Sequence, residues 1–318
     1  MSKLFSRISK TGMLFAAILA LAVSSSAQLS LRTAMDTDGD GIADYTVFRP
    51  ENNVWYVLKS AGGFTFQQFG LSNTDYPSPG DFDGDGIGDI AVWRDTDGAW
   101  YWLNSSDSTF SAVSFGLTGD EPVGRDYDGD GKTDLAVVRR SDGNMIWYVL
   151  RSSDGGFSAQ QFGLAIDYTA PGDYDGDGMF DFAIQRPGPT ALSQATFYVQ
   201  QSSGGFLIQP WGLSNDLVVP GDYDGDGKTD LAVVREGATY LEWYIQRSSD
   251  FGLIALTYGI TSTDLNVQND YDGDGKTDVA IWRDSDTRFY VLKSSDGGLA
   301  VSQWGLPSDY PVASYDTH

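Results

Sequence analysis

The sequence predicts an all-β fold, a six-bladed β-propeller of four-stranded blades with a hairpin loop in each blade. Three observations carry this: a nine-residue motif recurs six times, short runs of strand composition follow each copy, and nothing after the N-terminal leader reads as a helix. The motif is DTDGDGIAD from Asp36, DFDGDGIGD from Asp81, DYDGDGKTD from Asp126, DYDGDGMFD from Asp173, and DYDGDGKTD again from Asp222 and Asp270. Successive copies start 45, 45, 47, 49 and 48 residues apart.

The strands follow in a fixed order. After each loop comes an apolar run ending in arginine, such as Leu135 to Arg139, then an aromatic run such as Ile146 to Leu150, then a run ending in an aromatic and a glycine, such as Phe162-Gly163. These runs are rich in β-branched and aromatic residues and are separated by Ser, Asp and Gly clusters, which is strand and turn chemistry. A further strand before the loop, such as Tyr168 to Gly172, completes four per repeat. Tandem four-stranded units of 40 to 50 residues are the pattern of propeller blades.

The first 27 residues carry Lys3, Arg7 and Lys10, an apolar run from Met13 to Val23, and Ser25-Ser26-Ala27 before Gln28. That is the pattern of a secretory signal peptide, and the run is short of the ~20 residues that span a bilayer. Residues 28–318 are then expected to form one propeller domain, exported to the periplasm, cell surface or medium and not inserted in a membrane. The chain has no cysteine, so no disulfide holds this fold together. With 44 acidic against 20 basic residues, the net charge of −24 argues against nucleic acid as a partner and points to cations.

The loops supply the cation chemistry. Positions 1, 3, 5 and 9 are always aspartate, and positions 4 and 6 are always glycine, which allows the chain to turn tightly. Calcium takes six to eight oxygens, which carboxylates at alternate positions can supply, with the backbone carbonyl of the variable position 7. The expected ligands are Asp36, Asp38, Asp40, Ile42 and Asp44 in loop 1, and Asp81, Asp83, Asp85, Ile87 and Asp89 in loop 2. Loop 3 offers Asp126, Asp128, Asp130, Lys132 and Asp134, and loop 4 offers Asp173, Asp175, Asp177, Met179 and Asp181. Loop 5 offers Asp222, Asp224, Asp226, Lys228 and Asp230, and loop 6 offers Asp270, Asp272, Asp274, Lys276 and Asp278. Position 7 side chains are expected to point away from the loop. Position 12 is apolar, as at Val47 and Val137, where an EF-hand has its glutamate, so Asp at position 9 is expected to take that part. About six ions, one per repeat, would offset half of the net charge.

These loops resemble the FG-GAP or VCBS family, seen in integrin α-chain propellers and many secreted bacterial proteins. The resemblance also rests on the aromatic-Gly pairs Phe69-Gly70, Phe115-Gly116, Phe162-Gly163, Trp211-Gly212, Tyr258-Gly259 and Trp304-Gly305, and on Pro79-Gly80, Pro171-Gly172 and Pro220-Gly221. It implies a propeller with Ca²⁺ in blade hairpins and a role in adhesion or ligand recognition. Integrin propellers usually have seven blades with calcium in only some, so their partners do not carry over.

A second repeated pair is an aspartate six residues before loops 2 to 6 (Asp75, Asp120, Asp167, Asp216, Asp264) and an arginine five residues after the last loop aspartate in all six repeats (Arg49, Arg94, Arg139, Arg186, Arg235, Arg283). If positions 1 and 9 oppose one another, Asp75 falls opposite residue 95, next to Arg94. A salt bridge locking each blade is the expected use, and a ring of arginines for an anionic ligand is the alternative. Arg49 has only Ser30 at the corresponding N-terminal position, but Asp309-Tyr310-Pro311 matches Asp75-Tyr76-Pro77. The segment from Asp309 to Ser314 is therefore expected to close the ring as a strand of blade 1, in competition with Leu29 to Met35.

Catalytic inventory is thin. The single histidine is His318, and thiols are absent, which argues against triads and His-ligated zinc. Trp100-Tyr101-Trp102 could stack on a sugar, but an aromatic pair recurs there in every repeat and is expected to be blade core. The expectation is a non-catalytic scaffold that binds an extracellular glycan or protein, as a monomer or as a strand-exchange oligomer. The alternatives are a polysaccharide lyase or hydrolase on a propeller fold, and an extracellular structural protein that assembles itself by strand exchange.

Overall fold

A computed structural model describes residues 34–313; the leader over residues 1–27, residues 28–33 and residues 314–318 with His318 lie outside the described residues. Twenty-four strands form six four-stranded antiparallel sheets, with no helix among the described residues. In blade 2 the order is Asp75–Pro77, Ile90–Arg94, Ala99–Leu103 and Phe110–Ser114. Residues from the first strands of four blades and Ala313 line one shared cavity, so the first strands face the ring axis.

The first strands are shorter than expected. The ladder of blade 4 ends at Thr169 and resumes only as a bridge between Gly172 and Asp181. Pro171 lacks the N–H that the ladder would use, and an axial edge strand tolerates proline where a central strand would not.

The register corrects one expectation by a single residue. The residue before each loop, not loop position 1, opposes position 9, as in Gly80 with Asp89 and Arg125 with Asp134. Asp75 therefore stands directly opposite Arg94, not beside it. Each arginine holds its aspartate through two N–H donors. Arg94 reaches Asp75 at 2.7 and 2.8 Å, and Arg139 reaches Asp120 at 2.7 Å twice. The same pairing joins Arg186 to Asp167, Arg235 to Asp216 and Arg283 to Asp264. All six guanidinium groups also lie 4.1 to 4.7 Å above a tyrosine of the next strand, from Arg49 on Tyr56 to Arg186 on Tyr198. The salt-bridge reading holds: the aspartate side chains are at most 2% exposed.

The aromatic-Gly pair completes this lock. After Gly70, at φ +89°, the chain turns so that the Leu71 amide donates to Asp75 at 2.8 Å, and the same bond recurs in every blade down to Leu306 with Asp309.

The aromatic pair of the third strand divides as alternation requires. In Trp147-Tyr148 the tryptophan is buried between blades and the tyrosine lies under its arginine. Trp55, Trp93, Trp100, Trp147, Trp243 and Trp282 are all fully buried, each worth on the order of 3 kcal/mol of transfer free energy. Trp100 is thus blade core, and Trp102 stacks on Phe82 at 5.0 Å.

Blade 1 is closed by the C-terminal segment. Tyr310 and Pro311 pair with Phe48 and Val47, and Arg49 reaches Asp309 at 2.7 and 2.8 Å. Deleting residues 307–318 exposes the edge of Tyr45–Arg49 and removes the partner of Arg49, so the expected outcome is an unfolded or oligomeric chain by size-exclusion chromatography and circular dichroism. Asp309→Ala, which keeps the strand, is expected to cost about 2 kcal/mol in denaturant unfolding. A truncated monomer with unchanged stability would contradict this closure.

Candidate metal centres

Each loop is organised by the carboxylate of its first aspartate. Asp81 is buried and accepts the amides of Gly84 and Gly86 at 2.6 and 2.9 Å. The same pair of bonds recurs at Asp36, Asp126, Asp173, Asp222 and Asp270. The loop can wrap its own carboxylate because positions 4 and 6 hold φ between +77° and +94°, where only glycine is unstrained.

The last loop aspartate ties two hairpins together. One oxygen of Asp89 accepts the amide of Phe82 at position 2, and the other accepts the amide of Ser105 in the turn after the third strand. Both oxygens keep a lone pair for a further partner.

That turn carries residues that motif reading missed. A serine pair recurs there in five blades: Ser105-Ser106, Ser152-Ser153, Ser202-Ser203, Ser248-Ser249 and Ser294-Ser295. The first hydroxyl donates to position 5, as Ser105 to Asp85 at 3.0 Å, and the second donates to position 3, as Ser106 to Asp83. Their spacing is visible in the sequence, where it reads only as turn composition. Blade 1 has Ser60-Ala61, and there both oxygens of Asp38 are buried without a hydrogen-bond partner.

In five loops three of the four expected carboxylates come together. Ligand atoms from Asp36, Asp38 and Asp40, from Asp81, Asp83 and Asp85, and from Asp222, Asp224 and Asp226 lie within 4.8 Å of one another. In loops 3 and 4 the third member is position 9, giving Asp126, Asp128, Asp134 and Asp173, Asp175, Asp181. The donor set is all hard oxygen, which suits Ca²⁺ or Mg²⁺ and not a soft metal. The orphaned oxygens of Asp38 are the further sign that these residues fit a cation.

Position 7 behaves differently from its expected freedom. Its amide donates to position 5, as Lys132 to Asp130 at 2.9 Å. Its side chain leaves its own loop but lands on the position 4 glycine of the preceding loop, as Ile87 on Gly39 and Lys132 on Gly84. The Lys132 ammonium bonds the carbonyl of Asp83 at 2.8 Å. Loops 2, 4 and 5 lie under a lysine, whereas loops 1, 3 and 6 lie under Ile87, Met179 and Ile42.

Position 8 joins the loops into a closed belt. Its amide donates to the position 1 carbonyl of the preceding loop in all six cases: Gly88 to Asp36, Thr133 to Asp81, Phe180 to Asp126, Thr229 to Asp173, Thr277 to Asp222, and Ala43 back to Asp270, at 2.6 to 2.8 Å. Side chains around this belt are complementary. A Cβ on Gly80 would fall 2.5 Å from the Thr133 hydroxyl, and Thr229 and Thr277 press equally on Gly172 and Gly221. Where the preceding blade carries Met35 or Asn269 in place of that glycine, the facing position 8 is the small Gly88 or Ala43, whereas Arg125 stands at the step of the large Phe180.

A six-bladed propeller with a ring of linked carboxylate loops is the class this architecture defines. The FG-GAP-like repeat model matches residues 36–92 and 126–184, so the chain carries FG-GAP-like repeats. Among solved structures, TolB from Acinetobacter baumannii matches at 15% identity over 86% of this chain and 66% of that chain, with a TM-score of 0.51. The present chain thus spans just under two thirds of TolB. A catalytically inactive virginiamycin B lyase from Staphylococcus aureus with quinupristin matches at 10% identity over 85% of this chain and 87% of that one, with a TM-score of 0.50. At these identities the likeness is one of fold. A search of curated proteins gave no match.

Burial raises the loop carboxylates. Asp134, Asp181 and Asp230 are pushed up to about 7 and Asp89, Asp126, Asp222 and Asp278 to about 6, with desolvation the main cause. Without metal, the folded chain therefore holds protons between about pH 4 and 7 that the unfolded chain has released, so its stability falls as pH rises through that window. Metal-stripped protein is expected to melt at a higher temperature at pH 5 than at pH 8 in calorimetry. A midpoint that rises with pH would contradict this.

Proposed function

We propose that the protein is an exported, calcium-stabilised and non-catalytic recognition scaffold. One observation carries the reading: the acidic residues serve the architecture. Six loops of four aspartates and six arginine partners take 30 of the 44 acidic side chains, leaving few for chemistry. The carboxylates at positions 1, 3, 5 and 9 and the position 7 carbonyl would hold Ca²⁺ in each loop, where the ion would offset their mutual repulsion. Loops under Lys132, Lys228 and Lys276 already have a cation alongside and would hold the ion less tightly than the other three.

The non-catalytic reading is supported by the ion pairs of the axial cavity. Its Asp120 and Asp216 are held by Arg139 and Arg235, its Glu121 is paired with Arg140, and there is no histidine among the described residues. No helix among those residues is long and apolar enough to cross a membrane. The leader pattern at residues 1–27 supports export.

A glycan array probed with calcium-loaded protein, followed by analysis of the spotted glycans, tests the reading. The expected result is binding that falls in excess chelator and leaves the glycans intact. Shortened or unsaturated products would show an enzyme instead.

A further inference from the structure

The sixfold repeat provides its own control for function, because a residue that only builds blades should recur. Blade 3 departs from the others at one place. The residue after the locked aspartate is Tyr76, Tyr168, Leu217, Leu265 or Tyr310 in five blades, but Glu121 in blade 3. The residue after the locking arginine is Pro50, Asp95, Pro187, Glu236 or Asp284 in five blades, but Arg140 in blade 3. These two departures meet as an ion pair whose side chains are each about a third exposed, at 34% and 32%. Both line the axial cavity, which has a volume of about 430 Å³, within the range of small-ligand pockets.

From this we infer that the axial cavity, not the loop belt, is the ligand site, and that it takes a pyranose ring of a glycan; the inference rests on the recognition reading above. The ion pair is pre-organised by blade 4: the Thr169 hydroxyl donates to Glu121, and a second Arg140 nitrogen donates to the Asp167 carbonyl at 3.1 Å. Tyr76 of blade 2 and Tyr168 of blade 4 also line the cavity, their side chains about half exposed.

The chemistry selects the ligand class. A carboxylate that accepts beside a guanidinium that donates matches two adjacent hydroxyls, each able to give and take a hydrogen bond. The phenol rings supply apolar area for the C–H face of the sugar. A purely apolar ligand would strip water from Glu121 and Arg140 without replacing it. A singly charged side chain would gain little, because the pair cancels its own charge.

Titration calorimetry of the calcium-loaded full chain with methyl glucoside and methyl galactoside tests this. Wild type is expected to bind at least one of the two, and Tyr76→Ala and Glu121→Gln are each expected to weaken that binding at least tenfold. Tyr76→Ala alters an exposed side chain, so an unchanged melting temperature in that variant separates lost binding from lost fold. A wild type that binds neither sugar overturns the inference. Sugar binding that survives Tyr76→Ala and Glu121→Gln unchanged also overturns it, while leaving the scaffold reading in place, which a positive glycan array with intact glycans supports separately.

Discussion

Twenty-four aspartates are gathered into six loops that hydrogen-bond to one another in a closed belt, and everything else in the ring depends on how their repulsion is offset. Backbone amides do part of this. Each first aspartate is wrapped by two glycine amides, each last aspartate takes one amide from its own loop and one from the next hairpin, and paired serines reach positions 3 and 5. Amides and hydroxyls bring only partial charges, and burial still holds Asp134, Asp181 and Asp230 near 7. A divalent ion in each loop would supply the charge that these donors lack.

The belt and the arginine locks divide the labour along each blade. At the loop end, position 8 links neighbouring blades through the backbone, and a threonine side chain fills the space over a glycine at three of the six steps, as Thr133 over Gly80. At the far end, each arginine is fixed on one side by a buried aspartate and on the other by a tyrosine face. The sixth lock is made by Asp309, which places the closure of the ring on the same interaction that holds every other blade.

Much of this was legible in the sequence because it repeats. The six loops, the strand order, the Asp and Arg partners and the closing role of Asp309 follow from spacing alone, since any motif carried six times must have a common local reason. Spacing did not reveal the one-residue register of Gly80 against Asp89, which depends on how the loop leaves its hairpin. Contacts between blades were also hidden. Nothing along the chain indicates that Ile87 rests on Gly39 or that the Thr133 amide reaches Asp81, because such pairs are brought together only by the ring. The serine pairs were visible but read as turn residues, and their role became clear only where Ala61 breaks the series and leaves Asp38 without a partner. The axial cavity was illegible for the opposite reason: Glu121 and Arg140 occur once, and a single departure carries meaning only when the fold shows that the two residues meet.

Thermal unfolding at neutral pH, with excess Ca²⁺ and again with excess chelator, tests most directly whether a cation holds the belt. Ions bound only by the folded ring stabilise it by mass action, so the midpoint is predicted to fall by at least about 10 °C when calcium is removed. Superimposable transitions in calcium and in chelator would contradict the account.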